Sequence, residues 1–182
     1  LKNISKLSNL IKSKKNIKHM MGYQLKFNPI ILKLKKILDK KTIGNLWYIN
    51  IHHGENINDF HPYEDYRHSY AARKDLGGGV ILCQIHELDY LIFLFEKYKI
   101  KIINSYSKKF TNLHIDVEDT FVSSIQLSKG IKKVLCNIHL NFYERPKKRI
   151  IEILGEKGKI SCNLNTGEIL IFKEKKVRKI QF

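Results

Sequence analysis

From Ile100 to the C-terminus the chain reads as seven short strands in succession, at 100–110, 120–127, 133–143, 149–155, 159–163, 169–173 and 177–182. They are rich in β-branched and aromatic residues, bounded by turn residues, and alternate with the two-residue period of a strand whose faces differ. Ser128-Lys129-Gly130, the Gly155 to Gly158 segment and Asn165-Thr166-Gly167 mark tight turns, where glycine and asparagine accept the φ values that hairpins need. Connections this short imply a largely antiparallel sheet. In 133–143, Val134, Cys136, Ile138, Leu140 and Phe142 share one face, and Asn137, His139 and Asn141 the other. The first face suits packing on helices; the second is polar enough for water, substrate or another subunit. Leu46–His53 alternates in the same way and adds one more strand. The expected fold class is therefore α+β: an open, largely antiparallel sheet with helices on one face.

The N-terminal part supplies the helices. Residues 1–15 place Ile4, Leu7, Leu10 and Ile11 at three- and four-residue spacing, an amphipathic helix with lysines on the wet side. Asn16 to Gln24 alternates Ile17, His19, Met21 and Tyr23 against Lys18, Met20 and Gly22 and is expected to be a strand. Helix followed by strand reads as the end of an α/β unit whose earlier strands are absent. The opening residue is Leu1 rather than Met, so the chain is expected to be a fragment. Asn28-Pro29 starts a further helix, with asparagine as cap, proline in the first turn and Ile30, Ile31, Leu34, Ile37 and Leu38 on one face.

Gly54 to Tyr70 is a long polar and aromatic loop, of a length that is uncommon unless the segment binds or covers something. It runs into Leu76–Tyr90, LGGGVILCQIHELDY, where three glycines precede an apolar helix. Each glycine costs roughly 0.5–1 kcal/mol relative to alanine, so the run requires a reason. One reason is a ligand approaching free backbone N–H groups at the helix start. Gly79, Cys83, His86 and Tyr90 form a stripe along that helix, with His86 expected about two turns inside. The expectation is geometric: His86 faces an open hollow floored by the glycine bend and flanked by Tyr66 to Arg73.

Composition narrows the functional classes. The 182 residues are 43% hydrophobic and 10% aromatic, values of an ordinary globular chain. No apolar run reaches the roughly 18 residues of a membrane span, and no membrane association is expected. The net charge of +17 comes from lysines interleaved with Ile and Asn along the whole chain, without any nucleic-acid-binding motif. Nucleic acid is therefore not an expected partner. Three widely spaced cysteines, Cys83, Cys136 and Cys162, argue against a disulfide framework and for a reducing, cytoplasmic setting. The Cys83/His86 pair has no second pair at ligand spacing, and His52 and His53 point to opposite sheet faces, so no metal site is expected.

The order MMGYQLKFNP, HPYEDYRHSYAARKDLGGG, HELDYL and EILGEKGKI resembles the C-terminal domain of the Gfo/Idh/MocA oxidoreductases, the family of glucose-fructose oxidoreductase and inositol dehydrogenase. The likeness runs from about Lys2 to Asn163. It implies residues 1–24 as the remnant of an N-terminal Rossmann domain and 25–182 as a substrate-binding and oligomerisation domain. It further implies an NAD- or NADP-dependent dehydrogenase acting on a secondary alcohol of a sugar or cyclitol, and a homo-oligomer formed through the open sheet face. His86 matches the family histidine that handles the hydroxyl proton, a task suited to a group titrating near neutrality. Arg73, Lys74, Tyr66 and Tyr70 fall in the substrate-contacting segment, and Lys26 stands where relatives usually have arginine, near cofactor. Many relatives carry an acidic residue just before the histidine; Leu82 and Cys83 occupy that region here. The rival reading is a dimerisation or sugar-binding module without redox activity.

Overall fold

The computed structural model describes residues 3–14, 16 and 18–182. Strands Leu46–Gly54 (β1), Lys99–Lys108 (β2), Thr120–Lys129 (β3), Lys132–Asn141 (β4), Lys148–Gly155 (β5), Gly158–Asn163 (β6), Glu168–Lys173 (β7) and Lys176–Gln181 (β8) form one sheet. Their order is β2-β3-β4-β1-β5-β6-β7-β8. Every neighbouring pair is antiparallel except β1 with β4, which is parallel. The fold is thus the expected α+β open sheet, with β1 as the seam between two antiparallel halves.

Register explains why β1 is central. Ile49 lies opposite Cys136 on one side and Ile153 on the other; Ile51 lies opposite Ile138 and Ile151. All six are buried, forming an aliphatic band under the helices, each fully buried side chain stabilising by roughly 1.5–3 kcal/mol. Two residues further along β1, the same face carries His53, opposite Leu140 and Arg149. The pleat therefore aims one histidine and one arginine into the helix layer.

Helix Pro29–Asp39 (α2) begins as its residues dictate: the Asn28 side chain accepts from Ile30 N at 3.0 Å, and Ile30, Ile31, Leu34 and Ile37 are buried. Helix Ile4–Ser13 (α1) lies within the predicted amphipathic stretch and buries none of its residues. The expected strand over 16–24 does not form. Residues 18–23 lie outside any helix or strand, and Ile17 is outside the described residues. Alternation alone cannot make a strand, whose backbone groups need a paired neighbour; the sheet provides none here, and Met20 and Met21 are 79% and 69% exposed.

The predicted single helix after the glycines is two. Val80–Cys83 (α3) and His86–Leu94 (α4) are separated by Gln84 and Ile85, and the segments on either side meet at 43°. Gln84 leaves helical geometry at φ −105°, ψ 30°, while its buried side chain donates to Asn141 O at 3.1 Å. Among the described residues, no single helix is long and apolar enough to cross a membrane.

Candidate functional site

The glycine run has its reason inside the protein. Gly78 passes so close to the Tyr70–Ala71 backbone that a Cβ would stand 2.3 Å from Tyr70 O. Gly79 combines φ +105° with the Glu118 carboxylate, which would lie 2.4 Å from a Cβ there. The N–H groups are occupied as well: Gly77 donates to Lys74 O, Gly78 to Arg73 O, Gly79 to Ala71 O, Val80 to Glu118 O and Ile81 to Glu118 Oε1, all between 2.8 and 3.2 Å. Glu118 takes the place at the helix start where a ligand was expected, and the expectation of free amides is corrected accordingly. The run is a packing device, and it makes no cradle for the phosphates of a dinucleotide.

The break before α4 changes the setting of His86. The residue opens the helix instead of lying two turns inside it. Amide dipoles there disfavour a positive charge. Its ring is half-buried and meets Tyr23 edge-on, with centroids 6.4 Å apart. Burial, then the nearby Arg149 cation, lowers its pKa below that of an ordinary imidazole, against the pull of Glu87 and Asp89. His86 Nδ1 is buried and has no hydrogen-bond partner among the described residues. A neutral imidazole with lowered basicity is in the state that accepts a proton.

Behind it lies a charged group that sequence reasoning missed. Glu87 is fully buried and accepts from Arg149 Nε at 2.6 Å. His53 Nδ1 stands 3.1 Å from the same Glu87 oxygen, off the line of a hydrogen bond, and His53 Nε2 stands 3.7 Å from Glu55. Lys147 closes the row on Glu55 at 2.7 Å. Burial pushes the Glu87 carboxyl up, but His53 and Arg149 outweigh it and hold it below the usual range. The available signal was a glutamate in an apolar helix and a histidine continuing the Ile49, Ile51 face of β1; each alone is ambiguous.

The other expected site residues are dispersed. Arg73 forks onto Asp75 at 3.0 and 2.6 Å on the exposed rim, and the Lys74 backbone N–H donates to Asp116 at 2.7 Å. Tyr66 accepts from His114 N at 3.2 Å and lines a hollow of about 340 Å³ with Asn58, Glu64, Asp65, Arg67 and His114. Tyr70 contacts Cys83, whose thiol burial pushes up to about 11. Lys26 lies 3.7 Å from Asp89 and near the rings of Tyr23 and Phe27, so it joins the surroundings of His86. Among the described residues, none of Tyr66, Tyr70, Arg73 and Lys74 makes a ring contact or ion pair with His86. Among the described residues, His86 lines none of four hollows of 340–370 Å³, so the hollow expected over the glycine bend is not one of these four.

On the opposite sheet face, His52 Nε2 meets Glu144 at 2.5 Å and packs edge-on to His139, 4.7 Å between centroids. Asn137 donates to Tyr48 and accepts from Ser124 beside it. His52 and His53 therefore do point to opposite faces.

The same fold is found in solved structures of two oxidoreductase-type proteins and a levoglucosan dehydrogenase. An inositol dehydrogenase homolog from Azotobacter vinelandii, in complex with NAD+, superposes with a TM-score of 0.73 at 10% identity, over 88% of this chain and 42% of its own. A levoglucosan dehydrogenase in complex with NADH and levoglucosan gives 0.73 at 15%, over 98% and 50%. An Agrobacterium radiobacter oxidoreductase in complex with NAD+, L-tartaric acid and magnesium gives 0.69 at 18%, over 97% and 50%. The chain thus spans about half the length of these proteins. No curated protein sequence matches it. Residues 31–161 match the GFO/IDH/MocA C-terminal domain, and with the sheet order and helix placement above, the chain belongs to that family of oxidoreductases.

Proposed function

We propose that the chain is the substrate-binding and oligomerisation part of an NAD(P)-dependent oxidoreductase acting on a secondary alcohol of a sugar, sugar derivative or cyclitol, with His86 as its acid/base. The observation that carries the reading is the state of His86: it opens α4, is half-buried, and has its proton affinity lowered by burial and by Arg149. Oxidation of a carbinol carbon requires loss of the hydroxyl proton, and a neutral imidazole accepts it. Relatives support the substrate class: the Azotobacter vinelandii homolog has been solved with NADH and myo-inositol, and the other dehydrogenase with levoglucosan.

The cofactor supplies the hydride acceptor. The glycine run does not fit the phosphates of a dinucleotide, since its amides are engaged internally; on this reading NAD(P) binding belongs to a Rossmann domain whose last part would be residues 1–24. Within these residues the chemistry is proton handling at His86, with Lys26, Tyr23 and Asp89 beside it. Arg73, Lys74, Tyr66 and Tyr70 are proposed to meet the sugar from the rim. The same lack of a cradle favours a second reading, a sugar-binding or dimerisation module without redox activity. Supplying the intact protein with NAD or NADP and a panel of cyclitols and sugars, and following nicotinamide reduction, separates the two: turnover of one of them is expected, and binding without turnover of any supports the module.

A further inference from the structure

The Glu87 cluster is an expensive thing to build into a core. Apolar side chains of similar volume would serve stability as well as a buried ion pair or better, so its presence calls for another role. Three elements converge to make it. His53 of β1 and Arg149 of β5 are register partners, so the pleat turns both toward the helices. Glu87 follows His86 directly in α4 and reaches down to them, at 3.1 and 2.6 Å. Glu87 Oε2, Arg149 Nη2, His86 Nδ1 and Tyr90 Oη are all buried without a hydrogen-bond partner among the described residues. Polar groups crowded this way in a low dielectric act on one another over longer range than at a surface.

We propose that Arg149 and Glu87 are positioning residues for His86: the carboxylate fixes the start of α4 to the sheet and holds the guanidinium within electrostatic reach of the imidazole, so that two opposite charges govern its protonation. The groups facing His86 are Glu87 and Asp89 of its own helix, His53 of β1, Arg149 of β5 and Tyr23 of the preceding segment, with Lys26 acting through Asp89. Arg149 and His53 oppose protonation; Glu87 and Asp89 favour it. The role as positioning residues rests on the proton-handling function proposed for His86, but the charge coupling does not.

The coupling is tested on the 182-residue chain, without cofactor or substrate, by NMR titration of the His86 ring, assigned by its loss in His86→Asn. Arg149→Gln is expected to raise the midpoint and Glu87→Gln to lower it, each by about 0.5–1 pH unit. A purely structural role would loosen the site in both variants and move both midpoints up, toward an ordinary imidazole. Displacements of the same sign, or none, overturn the proposal. Should a single variant not fold, Arg149→Lys keeps a positive charge beside Glu87 and decides the matter. Its midpoint stays near that of the unaltered chain if the proposal holds, because the charge is kept; a midpoint raised toward an ordinary imidazole, the result of a loosened site, overturns it. A turnover number insensitive to His86→Ala would remove the acid/base role and leave this titration result standing.

Discussion

Charge at single residues matters here according to burial. The Asp65–Arg67 and Arg73–Asp75 pairs lie on the exposed rim, and removing either arginine is expected to leave the urea midpoint unchanged within error. Glu87 is the opposite case: Glu87→Gln leaves the half-buried Arg149 guanidinium without its fully buried partner and is expected to cost about 3 kcal/mol in the same measurement. The carboxyls of Glu55, Glu87, Asp119 and Glu144 all titrate below their ordinary values of 4.5 for glutamate and 3.8 for aspartate. Their contribution is present above those values and is lost as pH falls through the lower folded ones. His86 and His139 are lowered from 6.5, so the unfolded chain binds more protons just below that value, and stability also declines as pH falls from there. Thermal melts recorded from pH 7 downward should show two declines, a shallow one beginning near 6.5 and a steeper one below 4.5.

Among the elements, strands were the more legible part of the sequence. Alternation with turn signals located all eight, because each pairs with a neighbour and, except in the exposed edge strands β2 and β8, shows one face to the core. The same alternation misled at 16–24, where no neighbour exists to pair with. The histidine helix was legible as apolar but not as broken, because the break comes from Gln84 reaching Asn141 O, a contact 57 residues away. The glycines were legible as requiring an explanation, yet the explanation, Glu118 and the Tyr70–Ala71 backbone, comes from two other segments. That origin predicts a ranking. Gly79→Ala forces a residue with a Cβ to φ +105° and against Glu118, and Gly78→Ala meets a backbone carbonyl that cannot swing aside. Each is expected to destabilise by about 1–3 kcal/mol in urea unfolding. Gly77→Ala has open space around it and only φ +81° to overcome, so its cost should be about 1 kcal/mol.

For the whole molecule, the open sheet is the surface proposed for assembly. Its uncovered face carries Val122, Leu135 and Tyr106 at 41–50% exposure beside a hydrogen-bonded array of Tyr48, Ser124 and Asn137. A mixed polar and apolar surface on an open sheet suits a second copy better than bulk water. Sedimentation of the chain should therefore show concentration-dependent association, and Leu135→Glu should shift it to monomer without changing its circular dichroism. The candidate site lies on the other face, where Glu87 of α4 meets His53 near the end of β1, so the proposed assembly surface and the proposed site are separate. That division was readable in part: His52 and His53 were expected on opposite faces, but neither the Glu144 contact of the one nor the Glu87 contact of the other is visible in spacing. The central claim concerns His86, and the direct measurement is single-turnover hydride transfer by the intact protein carrying His86→Ala, with substrate affinity measured in parallel. The expected result is a rate lower by about 10²–10⁴-fold with affinity nearly unchanged; an unaltered rate would contradict the assignment of proton handling to this residue.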